Sequence, residues 1–231
     1  MNKKILIAGL IFAALIITYL LLKNPLANKY NAAGIDSFVA NNYTEAGKNF
    51  KKALFWKHRS DKALINMIKV ELAQNNSEET GIYMQKLSKY HPDHPETFGL
   101  KGQLLVMDKH FEKAIGNLTQ AIEKDSLLAY AYYYRGIAKA NLNDLEGAAE
   151  DYLVAQRLDI DNIEALEERA VVLSKLEDFD ALIENYNAII ALDPANTKAF
   201  LERGNFKMKI ADYKNAVADF SQVILINDNL G

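Results

Sequence analysis

The apolar and polar positions of residues 163–196 fall into two helical sets separated by a turn. Leu166, Ala170, Leu173 and Leu176 recur at three- and four-residue spacing; after Glu177–Asp178 a second set follows, Leu182, Tyr186, Ile189 and Ile190. Asp193–Pro194 ends the second set, because proline has no backbone N–H to offer and restricts the residue before it. Two short amphipathic helices and a stop predict a helical hairpin. A lone hairpin has no partner on which to bury its apolar face.

Sliding the frame until Ile163 falls on Ala129, or on Thr197, recovers the same pattern. Six units tile the chain without insertion: 27–60, 61–94, 95–128, 129–162, 163–196 and 197–230. The eighth place of each unit needs a small residue where two helices cross, and it holds Gly34, Gly102, Gly136, Ala170 and Gly204, with Ile68 the departure. The twentieth place is small at Ala46, Ala114, Ala148 and Ala216 but not at Thr80 or Leu182. Four places on, Phe50, Leu118, Tyr152, Tyr186 and Phe220 supply bulk and Met84 fits less well. The second unit is the most degenerate of the six.

These places resemble the tetratricopeptide repeat (TPR), the 34-residue helix–turn–helix family. The resemblance implies an all-α fold, a right-handed TPR-like α-solenoid of six hairpins whose first helices line a concave groove. It also implies a non-enzymatic protein–protein interaction scaffold that holds an extended peptide or a partner helix. Peptides in this family meet the second, fifth, ninth and thirteenth places. Here those places bring up Lys69, Gln103, Tyr130, Tyr133, Asn141, Glu164, Glu167, Lys198 and Asn205. Tyr132 holds a packing place and is expected in the core. Tyr130 and Tyr133 either face the groove as aromatic contacts with a polar tip or pack against neighbouring first helices. The lysine and asparagines with which chaperone-binding members clamp a C-terminal carboxylate are absent, since Asn31 and Ile35 stand at the places concerned in the first unit.

Residues 1–26 differ in kind. Lys3 and Lys4 precede Ile5–Leu22, an uncharged and overwhelmingly apolar run, and Lys23-Asn24-Pro25 closes it. As a helix the run is ~27 Å long, close to the hydrocarbon thickness of a bilayer. It is expected to be a transmembrane signal-anchor followed by a short linker. The alternative is secretion after signal cleavage, but the run exceeds the usual ~7–15 residues and no small-x-small site follows it. Lys3, Lys4 and the α-amine outweigh Lys23 and Lys29 across the span. That excess places the amino terminus in the cytosol, so that in a bacterium the repeats lie in the periplasm or outside the cell. The absence of cysteine excludes disulfides and a thiol-linked lipid anchor.

Charge is divided unevenly along the repeats. Residues 27–128 carry 14 Lys+Arg and 12 Asp+Glu, whereas residues 129–231 carry 10 against 18, a net of −8. The acidic half suits a basic partner and argues against nucleic acid. In the first unit Lys48, Lys51, Lys52, Lys57 and Arg59 form a basic run, either a solvated helix face or a site of attraction to anionic headgroups.

No constellation for catalysis, metal or cofactor emerges. His91-Pro92-Asp93-His94 lies where one unit meets the next, with no cysteine and no convergent third ligand. There is no phosphate-binding glycine loop, nucleophile elbow or HExxH helix. Arg135, Arg169 and Arg203 share the seventh place; sixteen places further along the chain stand Asp151, Asn185 and Asp219. The spacing predicts structural ion pairs within the hairpins, worth ~0–1 kcal/mol if exposed.

The chain ends directly after the sixth unit, where such arrays usually add a covering helix. Val217, Phe220, Val223 and Ile224 are therefore expected to be partly uncovered, which suggests self-association, a partner, or a truncated chain. The reading for function is a membrane-tethered scaffold serving assembly, secretion or quality control at the envelope. The alternative is an oligomerisation module acting through the last hairpin.

Overall fold

A computed structural model describes the backbone of residues 3–159 and 163–228 and the side chains from residue 11 onward within these ranges. The ends of the fourth and sixth repeats (160–162 and 229–231) and the side chains of Lys3 and Lys4 lie outside the described residues. Among the described residues there are twelve helices and no strand. They are α1 (Lys3–Val39), α2 (Tyr43–Trp56), α3 (Asp61–Ala73), α4 (Ser77–Tyr90), α5 (Pro95–Met107), α6 (Phe111–Lys124), α7 (Ala129–Asn141), α8 (Leu145–Leu158), α9 (Ile163–Leu176), α10 (Phe179–Leu192), α11 (Thr197–Lys209) and α12 (Tyr213–Asp228). The first helices of five repeats begin at the first place of the repeat frame, including α3 of the degenerate second unit.

The turn inside each hairpin repeats as strictly as the helices do. Asn41, Asn75, Lys109, Asn143, Glu177 and Ala211 all adopt φ between 55° and 66°, the left-handed conformation that turns a chain out of a helix. They hold the same place in each of the six repeats. The next residue caps the second helix. Asn42, Asn76, Asp144 and Asp178 each accept a hydrogen bond from the backbone N–H three places on. His110 stands at that place in the third repeat and makes no side-chain cap.

One expectation is corrected at the amino-terminal end. No linker separates the apolar run from the repeats: α1 continues unbroken through Pro25 to Val39. Neighbouring turns carry the helix across the single hydrogen bond that proline removes. The first helix of repeat one and the apolar segment are thus one rod. On it the described side chains of residues 11–22 are all exposed.

The small and bulky places meet as their spacing requires. A Cβ on Gly34, Gly102, Gly136 or Gly204 would run into Phe50, Leu118, Tyr152 or Phe220, each on the second helix of the same hairpin. In the second repeat the sizes are redistributed. Ile68 takes the small place, the slender Met84 takes the bulky one, and both are buried. Thr80 is buried too and returns its hydroxyl to the Asn76 carbonyl at 2.8 Å.

The chain forms two compact units, residues 1–97 and 98–231. Phe50, Leu64, Met67, Ile68 and Leu87 are the buried centre of the first. In the second, the core runs from Leu118, Ala121, Ala131 and Ala138 through Tyr152, Leu173, Leu182 and Phe206, with Leu166, Ile189 and Ala199 as a further cluster.

Candidate functional site

The residues at the groove places divide into paired, packed and open ones. Lys69 reaches Glu96 at 3.2 Å. Gln103 donates from Nε2 to the Tyr134 hydroxyl at 2.9 Å. The Tyr130 hydroxyl rests against Gly99, where a Cβ would collide with it. Tyr133 lies half-buried with its ring edge-on to Tyr134 (5.3 Å between centroids) and 6.0 Å from Tyr152. Burial, followed by Glu168, Tyr134, Glu164 and Glu167, pushes the Tyr133 hydroxyl up to about 12. Asn141, Glu164 and Asn205 are exposed, and Asn141 donates to the Ile137 carbonyl at 2.8 Å. Tyr132 is half-buried rather than in the core, because its ring is the platform over which the Arg135 guanidinium lies at 5.4 Å.

Two of these residues, Glu167 and Lys198, come together on an open cleft of about 400 Å³ between α9, α10 and α11. Ala170, Ile189, Ala199 and Phe206 make its floor, with Tyr186 stacked on Phe206 at 6.2 Å and an interplanar angle of 21°. Glu167, Glu202, Lys175 and Lys198 rim it, and Lys198 bonds Glu167 at 3.4 Å. Burial, then the charges of Glu202 and Glu167, raises the Tyr186 hydroxyl to about 12. The cleft thus sets an apolar floor beneath two carboxylates, two ammonium groups and a phenol, a few polar groups around an apolar concavity. Phe206, Tyr186 and Glu202 are members that sequence reasoning missed. Val171 and Lys175, also on the cleft, were missed as well, although they hold the ninth and thirteenth places of their repeat.

The arginines of the seventh place are structural and more buried than their spacing suggested. Arg135 grips Asp151 with Nε at 2.8 Å and Nη2 at 2.7 Å, and Lys139 reaches the same carboxylate at 2.9 Å. Arg203, Lys207 and Asp219 repeat the arrangement at 3.0, 2.6 and 2.9 Å. Both aspartate side chains are only 5% exposed, so the value of an exposed surface pair does not apply. Burial alone would push the Asp219 carboxyl up; the hydrogen bonds from Arg203 and Lys207 outweigh it and hold the group below the usual range. Arg135 also donates to Thr119 at 3.2 Å, and Arg203 to Asn187, which ties each hairpin to the second helix of the preceding one.

The last hairpin exposes Val217 and Ile224, each 61%, while Val223 and Phe220 are half-buried, the latter against Gly204. The histidine pair is held by its neighbours: His91 Nε2 donates to the Arg59 carbonyl at 2.7 Å, and His94 Nδ1 accepts from the Glu96 N–H at 3.2 Å. Among the described residues no group of three His, Cys, Asp or Glu side chains is placed to hold a metal.

Comparison with known proteins agrees with this geometry. PilF of Pseudomonas aeruginosa superposes with a TM-score of 0.72 over 87% of this chain and 91% of its own, at 17% identity. YrrB, described as a TPR protein with an unusual peptide-binding site, superposes with a TM-score of 0.60 over 77% of this chain and 91% of its own, at 18% identity. In sequence, 137 residues are 29% identical to a UDP-N-acetylglucosamine–peptide N-acetylglucosaminyltransferase of Giardia intestinalis; they make up 59% of this chain but 9% of that enzyme. No family model matches the chain. The fold class is therefore the all-α TPR-like solenoid of helical hairpins.

Proposed function

We propose that the chain is a non-enzymatic, membrane-tethered scaffold that binds a peptide or partner helix through the cleft between α9, α10 and α11. The cleft itself carries this reading. Its floor accepts one apolar side chain, and Glu167 and Glu202 favour a Lys or Arg beside that anchor. The net charge of −8 over residues 129–231 steers a basic partner toward it. Tyr130 and Tyr133, packed as they are, extend the surface as rigid aromatic area rather than as free arms. Tethering is supported by α1, which among the described residues alone is long and apolar enough to cross a bilayer. Lys3 and Lys4 then lie on the cytosolic side and the repeats across the membrane, a placement suited to assembly, secretion or quality control at a cell envelope.

A displayed random-peptide library selected on the full chain in detergent tests the cleft. Enrichment of peptides pairing an apolar residue with Lys or Arg, lost on Glu202→Lys and on Val171→Asp, supports the assignment. Enrichment that is indifferent to both substitutions removes it. A second reading, self-association, is favoured by the exposed apolar row of Val217 and Ile224 on α12. It requires that Val217→Asp reduce the mass measured by light scattering.

A further inference from the structure

The carboxyl end of α2 returns to the apolar rod. Tyr19, one turn before the end of the Ile5–Leu22 run, stacks on Trp56 with centroids 6.2 Å apart and planes 26° from parallel. Its hydroxyl points at the Trp56 carbonyl at 3.5 Å. Leu22, the last apolar residue of the run, lies ~4.5 Å further along the helix axis from Tyr19. The contact therefore sets Trp56 at the height where hydrocarbon gives way to headgroups, the depth that tryptophan and tyrosine favour. Phe55, edge-on to Trp56 at 5.5 Å, is 76% exposed, although it is a large apolar side chain at a helix end.

The charges around this tip are of one sign. Lys51 and Lys52 precede it by a turn, Lys57-His58-Arg59 follow it, and no Asp or Glu occurs between Glu45 and Asp61. Arg59 lies over the Tyr90 ring at 5.0 Å, which brings the end of α4 alongside. Between the two helix ends is an open cleft of about 320 Å³ lined by Lys51, Leu54, Phe55, His58, Lys86 and Tyr90 among others. It combines apolar walls with ammonium groups at its mouth.

We propose that the tip Phe55–Arg59 is a second membrane contact. Phe55 and Trp56 enter the interfacial layer of the bilayer that α1 crosses, and Lys51, Lys57, Arg59 and Lys86 hold anionic phospholipid headgroups there. A single helix leaves the attached repeat free to swivel about its axis; a second, off-axis contact stops that rotation. The inference rests on the reading of α1 as a membrane span.

Trp56 is the chain's single tryptophan, so its fluorescence reports on this tip without labelling. The full chain is reconstituted into phosphatidylcholine vesicles with and without phosphatidylglycerol and recovered by flotation. The expected result is a shift of emission to shorter wavelength and quenching by lipids brominated near the headgroup, stronger with phosphatidylglycerol. In Lys57→Glu/Arg59→Glu that enhancement is lost, and Phe55→Ser reduces quenching in both compositions. Chain that floats with the vesicles while Trp56 stays unshifted and unquenched overturns the second contact and leaves the anchor intact. Equal quenching with and without phosphatidylglycerol overturns the assignment of anionic headgroups. Chain that does not float overturns the anchor and this inference together.

Discussion

Arg169 reaches Asn185 through one hydrogen bond of 3.3 Å, where Arg135 and Arg203 each hold an aspartate through two. The other polar groups around this arginine are replaced in the fifth repeat as well. Leu173 stands where Lys139 and Lys207 stand, and Leu153 where Thr119 and Asn187 do. Asn185 instead donates to the Leu166 carbonyl at 2.8 Å, which leaves Arg169 Nε buried without a hydrogen bond among the described residues. Burial lowers the pKa of this guanidinium, whereas the bonds that Arg135 donates to Asp151 raise its own. The fifth repeat contributes both of its helices, α9 and α10, to the cleft.

Substitution separates the two kinds of arginine. Arg169→Met is expected to change stability by less than about 1 kcal/mol, since a buried cation with one weak bond contributes little net. Asp219→Asn is expected to cost about 3 kcal/mol, because it leaves Arg203 and Lys207 buried without a countercharge. Urea denaturation followed by circular dichroism distinguishes them; equal losses would contradict the assignment.

The acid limb of stability follows from the same carboxylate. The pKa of Asp219 is depressed below 3.8, so its contribution is present above that pH and is lost as pH falls through the lower folded value. Asp219→Asn is expected to flatten this limb in melting temperatures measured against pH.

Tyrosine burial sets an alkaline limb. Tyr133 and Tyr186 are raised from 10.0 to about 12, so their contribution holds below pH 10 and is lost as pH rises through 12. Phenolate absorbance of the native chain is expected to lag that of the urea-unfolded chain over this window. Tyr133→Phe should remove one titrating group from the lag, and its failure to do so would place Tyr133 in solvent.

Glycines at the crossing and elsewhere are expected to respond in opposite directions. A Cβ on Gly136 would stand 2.8 Å from the Tyr152 ring, so Gly136→Ala costs about 1–3 kcal/mol. Gly81 and Gly116 have open space at that point, and alanine there gains about 0.5–1 kcal/mol each through helix propensity. Thermal melting of the three variants checks the signs.

The turn positions offer a further gain. Lys109, Glu177 and Ala211 hold a left-handed conformation that costs an L-residue about 1–2 kcal/mol, so glycine at these three should raise the melting temperature. His110→Asp should add about 1 kcal/mol by supplying the missing cap. Asn41→Ala is expected to lower it.

The sequence by itself determined the hairpins, their repeating frame and the regular pairing of small with bulky and of arginine with acid, because each depends on local periodicity repeated until chance is excluded. The apolar run of α1 was legible for the same reason. The left-handed turn residue was only half legible, since asparagine marks it in three repeats and lysine, glutamate or alanine fill it in the others. Only the tertiary structure decided which groove residues stand open. Whether Tyr133 packs on Tyr152 or faces solvent depends on the other helix of its hairpin, and periodicity assigns both outcomes the same place. The cleft arises from Phe206 and Tyr186 stacking across two repeats, and the Tyr19–Trp56 contact from α2 folding back along a rod that proline failed to interrupt. Contacts between elements are set by side-chain volume and helix direction in three dimensions, which no spacing along the chain encodes.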